Sequence, residues 1–156
     1  MEFNANQIFE GPLQFTIRPI PVPGDLRLRW KLALVLLIVG YSRRKRASIH
    51  KIHALNHFIR TSANRRRILA AVNGTLPSQS LVVRFEPALT RALDLARGEG
   101  LVEIDSTGKV QLTDAGQDVV NAINGDEEIL SEEKAMLRAV AKWATEQEIK
   151  KVLGGK

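Results

Sequence analysis

The chain has 156 residues, 44% of them hydrophobic, no cysteine and a net charge of +6. That size and apolar content suit one compact domain with appendages. The missing cysteines exclude a disulfide framework, thiolate metal sites and a cysteine nucleophile, and they fit a cytoplasmic protein, the expected localisation.

The charge is spread unevenly. Arg18 to Arg67 carries thirteen bases against Asp25 alone, or +12, whereas Ile68 onward carries −4 and the first seventeen residues −2. A basic half joined to an acidic half points to a polyanion or an acidic protein surface as partner. The bland alternative is a solvated basic face.

In chain order, MEFNANQIFEGPLQF lacks the basic and apolar regions of a secretory signal. LQFTIRPIPVPG reads as a short strand and a polyproline-like lead, so residues 1–24 are expected to form an extended arm. Leu26 to Gly40 reads as a helix, amphipathic at first and then apolar nearly all round, with Gly40 as its stop. Its apolar run, Leu32 to Tyr41, is too short for a bilayer, which needs about 20 residues. No membrane contact is expected.

The basic run Arg43, Arg44, Lys45, Arg46 follows, and a second helix begins at Ala47 or Ser48. Ile52, Leu55, Phe58 and Ile59 share one side of that helix; His50, His53 and His57 share the other. Ser62 is the expected cap of a third helix carrying Arg65, Arg66 and Arg67. TLPSQS is a loop, and LVVRF, residues 81–85, reads as a strand. Pro87 opens a helix ending at Gly98–Gly100. LVEID and KVQLT are strands joined at Ser106-Thr107-Gly108, and Thr113 or Asp114 caps a further helix. Past an acidic linker, Ser131 caps one last helix with Met136, Val140 and Trp143 as its stripe. Residues 125–156 thus form an acidic linker and a C-terminal helix.

The segment ALTRALDLARGEGLVEIDSTGKVQLTDAGQDVV resembles a winged-helix domain. The resemblance implies a mainly α fold with a small antiparallel sheet over residues 25–124, a recognition-type helix at 87–98 and a wing at 101–112. KLALVLLIVGYSRRKRASIHKIHALNHFIRTSANRR, with RFEPALTRALDLARGEGLVEI, resembles the small middle components of bacterial three-component ABC-ATPase systems, including Lamassu-type anti-phage defence. That resemblance implies a non-enzymatic subunit bridging an SMC/Rad50-type ATPase and an effector near DNA.

One departure stands out. The recognition-type helix offers Glu86, Thr90, Arg91, Asp94 and Arg97, and acids suit a phosphate-lined groove poorly, so sequence-specific readout is not expected. Arg43, Arg44, Lys45 and Arg46, with Arg65, Arg66, Arg67, Arg91 and Lys109, are the candidate contacts. They would meet either DNA phosphates or an acidic partner face.

His50, His53 and His57 read as a partner interface. As a metal site they fail on ligand supply, since His50 and His57 lie about 10.5 Å apart along the axis. The nucleophile elbow, the phosphate loop and the HExxH motif are missing, so neither catalysis nor a cofactor is expected. The rival reading is a free-standing MarR-like regulator that binds DNA as a homodimer.

Overall fold

Six consecutive side chains, Leu34 to Val39, are completely shielded from solvent. They belong to α1, Gly24–Tyr41, and a helix apolar all round has to be buried on every side. In the computed structural model, which describes residues 24–154 with side chains from Arg27 onward, α1 is the axis of the molecule. It touches α2 (Ile49–Ile59), α4 (Pro87–Gly98), α5 (Asp114–Gly125) and α6 (Ser131–Val140). The expected arm lies outside the described residues, except for Gly24. Among the described residues, no helix is long and apolar enough to cross a membrane.

Gly40 is not a stop. The helix runs on to Tyr41, and a Cβ on Gly40 would come within 3.1 Å of Val120. Its role is to let α5 approach α1. The chain then passes through a 3-10 turn, Arg43–Lys45, into the two-residue strand β1, Arg46–Ala47. Strands β2 (Val102–Ile104) and β3 (Val110–Leu112) complete an antiparallel sheet of order β1-β3-β2, with Ala47 opposite Val110 and Val102 opposite Leu112. The architecture is therefore mainly helical with a small antiparallel sheet.

The caps follow the side-chain chemistry. The Ser48 hydroxyl accepts from the Lys51 N–H, opening α2. The third helix, α3 (Ser62–Val72), is capped by Thr61, not Ser62. Thr113 accepts from the Gly116 N–H and donates to the Gly100 carbonyl, tying α5 to the corner before β2.

Three further expectations are corrected. Residues 81–85 form no strand; Leu81 is buried, but Val82 and Phe85 stand exposed. β-propensity alone does not make a strand without a partner edge. The last helix is two, α6 and α7 (Glu146–Val152), broken at residues 141–145. Thr145 restarts the chain by accepting from the Glu148 N–H, one half of the capping box that TEQE spells; the Glu148 carboxylate turns to Ser78 and Lys151 instead. Ser131 is the first residue of α6; Leu130, at φ 51°, occupies its cap.

Candidate functional site

The basic loop does not stand alone. Arg43, Arg44, Arg46, Lys51, Lys109 and Lys142 line one cleft of about 700 Å³, together with Tyr41, Ala141, Ala144, Thr145 and Gln147. The one acid in the lining is Glu146. Its carboxylate accepts from the Ser48 N–H at 2.9 Å and from the Ser48 hydroxyl at 2.7 Å. It thus ties α7 to the N-terminus of α2, where negative charge is favoured.

Each wall has a local cause. Arg44 and Lys45 adopt left-handed backbone angles, φ 58° and 53°, a conformation costing about 1–2 kcal/mol per residue without glycine. Three exposed cations thereby stand at the end of the core helix. Lys109 comes from the hairpin turn, and Lys142 from the break between α6 and α7.

Arg46 differs from its neighbours. Half-buried in β1, its guanidinium is ion-paired with Asp105. Asp105 in turn accepts from the Thr107 hydroxyl at 2.5 Å and from the Thr107 and Lys109 N–H groups at 2.7 and 3.1 Å. The Thr107 hydroxyl, chiefly, with those N–H groups and Arg46, holds this carboxyl far below the usual range against an opposing desolvation. Arg46 anchors the hairpin and is not free for a ligand.

Lys51 was not among the residues expected from sequence. It is 4% exposed, and burial pushes its ammonium below the ordinary lysine value; Glu146 opposes this and Lys109 adds to it.

The other expected contacts scatter. Arg65 is committed within the chain: its Nε donates to the Ile59 carbonyl at 2.8 Å, and its guanidinium pairs with Glu132 and Glu133, clamping α3 to α6. Arg66 and Arg67 are exposed on α3, and Arg67 donates to the Ser80 carbonyl at 3.3 Å. Arg91 is exposed on α4, which contributes nothing to the cleft. Glu86 is not a surface reader either. It accepts from Lys31 at 2.6 Å and from Asn56 and Arg60, both at 3.2 Å. Burial alone would raise its carboxyl, but these partners bring it below the usual value.

The histidines do not form an open face. His53 is 5% exposed and stacks on Phe85 at 4.6 Å, with its Nδ1 unpartnered. Burial, then the charge of His50, lowers its pKa, with Glu86 opposing. His57 is half-buried and lowered by burial and by Arg60 and Arg84. Only His50 is exposed, tilted against Phe85 at 5.8 Å. The cause is the segment 81–86, which covers the side of α2 expected to be open. What remains outside is an apolar patch of Val82 and half-exposed Phe85 beside His50. Lys51 and His53 lie about 160° apart around α2, so cleft and patch occupy opposite sides of that helix.

Among the described residues, no three His, Cys, Asp or Glu side chains group to hold a metal ion. The chain matches no protein-family model, no curated protein and no solved structure.

Proposed function

We propose that this chain is a non-enzymatic adaptor subunit of winged-helix fold, bridging an SMC-like ATPase and an effector in anti-phage defence and touching the DNA backbone without reading sequence. The observation that carries the DNA part is the convergence of Arg43, Arg44, Lys109 and Lys142 on one open cleft. Guanidinium and ammonium groups presented this way neutralise phosphates and carry no base-edge specificity.

The sheet order β1-β3-β2, with α4 leading into the β2–β3 hairpin and α5 closing it, supports the winged-helix reading. In that reading the hairpin is the wing and α4 the recognition-type helix. The ATPase and effector parts rest on the resemblance of the phrases at residues 31–66 and 84–104. The exposed Val82–Phe85 patch beside His50 suits a protein partner, because an exposed apolar patch gains from being covered by protein.

The test uses the full chain and fluorescently labelled duplexes of unrelated sequence. The expected result is equal affinity for all of them, at least tenfold weaker after joint alanine substitution of Arg43, Arg44 and Lys45. A stable homodimer that selects one palindrome from random DNA would overturn this in favour of a dimeric regulator.

A further inference from the structure

Three lysines are buried among the described residues, and two of them have partners. The Lys31 ammonium donates to Glu86 at 2.6 Å and to Asn56 at 3.4 Å. That of Lys134 donates to the Ile123 carbonyl at 3.0 Å and the Asp126 carbonyl at 2.5 Å, capping the end of α5. The Lys51 ammonium makes neither a hydrogen bond nor an ion pair with any described residue.

Lys51 lines a small cavity together with Ile38, Leu55, Leu137 and Val140. The same residue also lines the basic cleft. An ammonium on a side chain this buried, without a hydrogen-bond partner, is costly; Glu146 eases that cost and Lys109 adds to it. Such an arrangement is relieved by an anion.

The chemistry narrows the anion. Six bases line the cleft; Asp105 takes the charge of Arg46 and Glu146 offsets one more, leaving four positive charges unanswered. A single carboxylate leaves most of them unmatched. One phosphomonoester carries about −1.5 to −2 at neutral pH, so a chain of two or three phosphates matches. The cleft volume, about 700 Å³, is that of sites for nucleotide-sized ligands, about 300–1,000 Å³. Tyr41, Ala141 and Ala144 add an apolar wall.

Depth separates this ligand from a duplex lying across the mouth. Arg43, Arg44 and Lys142 are exposed, whereas Lys51 is not, so only a projecting phosphate reaches it. We infer that the cleft is a binding site for a terminal phosphate or polyphosphate group, with Lys51 at its floor and Arg43, Arg44 and Lys142 around it. The group comes from a free nucleotide or from the phosphorylated end of a strand. The inference shares Arg43 and Arg44 with the proposed DNA contact but does not depend on it.

Titration calorimetry on the full chain tests it, with pyrophosphate, ADP and adenosine as probes. Pyrophosphate and ADP should bind with micromolar dissociation constants and adenosine should not. Lys51→Met, which keeps the stem and removes the charge, should weaken ADP at least tenfold while affinity for a 5′-hydroxyl duplex stays within twofold. Lys142→Ala, a surface change, should weaken ADP several-fold as a second check.

Competition then identifies the source. A strand that displaces ADP only when 5′-phosphorylated marks the strand end, and one that never displaces it marks the free nucleotide. No binding of pyrophosphate or ADP below millimolar concentration, or a Lys51→Met chain that binds ADP as the parent does, would overturn the inference. Either result leaves the DNA contact to stand or fall on its own test.

Discussion

Lys51 and Lys134 are the same residue type at nearly the same burial, 4% and 3% exposed, yet they should respond oppositely to one substitution. Lys134→Met strips the donor from the Ile123 and Asp126 carbonyls, and leaving such groups unsatisfied costs about 1–3 kcal/mol. Lys51→Met removes a charge with no partner and should raise Tm. That gain should shrink toward high pH. A base whose folded pKa is lowered regains stability as pH rises through its folded value toward the ordinary one. Thermal unfolding of both variants across pH checks this; a loss of stability in Lys51→Met would mean an unseen partner.

His53 gives a second residue-scale expectation. Its folded pKa lies below the usual value near 6.5, so on acidification the unfolded chain takes up a proton that the folded chain refuses. Stability should therefore fall as pH drops from about 7 to about 5. His57 adds in the same direction, and Glu86, also lowered, adds a loss at still lower pH. His53→Leu should flatten part of the fall in Tm over that window; an unchanged slope would assign the effect elsewhere. Of this, the sequence displays only three histidines at helical spacing. Nothing in their spacing tells that Phe85, far along the chain, will cover one of them.

At the scale of elements, periodicity and capping chemistry are legible where one element decides its own structure. Pro87 at the start of α4 and Thr113 before α5 mark starts that the structure keeps. Thr145 carries an equally clear signal, but the apolar stripe through Met136 and Val140 invites a continuous helix across it. Residues 81–85 fail for the opposite reason, since a strand depends on an edge that no local pattern can announce.

Gly116 joins these levels. A Cβ there would strike the Leu101 carbonyl, which cannot retreat because it accepts from the Thr113 N–H at 3.1 Å. Gly116→Ala should destabilise the chain by about 1–3 kcal/mol, the ordinary cost of overpacking. Chemical denaturation measures it, and a neutral result would mean that α5 packs less tightly on the hairpin corner.

For the whole molecule, the division into a basic and an acidic half is plain in the sequence, but the cleft is not. Lys51, Lys109 and Lys142 come from α2, the hairpin and the α6–α7 break, and meet only because β1 pairs with β3 and Glu146 holds Ser48. The acidic half also neutralises part of the basic one. Glu132 and Glu133 take Arg65, and Asp105 takes Arg46. Of the cations expected to make contacts, Arg43, Arg44, Lys45 and Lys109 keep no partner among the described residues, as do Arg66 and Arg91 on other helices.

The most direct test of the central claim, that the free cations of the 43–45 loop meet nucleic-acid phosphates, is the salt dependence of duplex binding. Log affinity should fall linearly with log salt, by about 0.9 for each phosphate neutralised. Alanine at Arg43, Arg44 and Lys45 together should make that slope shallower by about two to three units. A slope identical in the parent and the triple variant would contradict the account and leave the loop as a docking surface for protein alone.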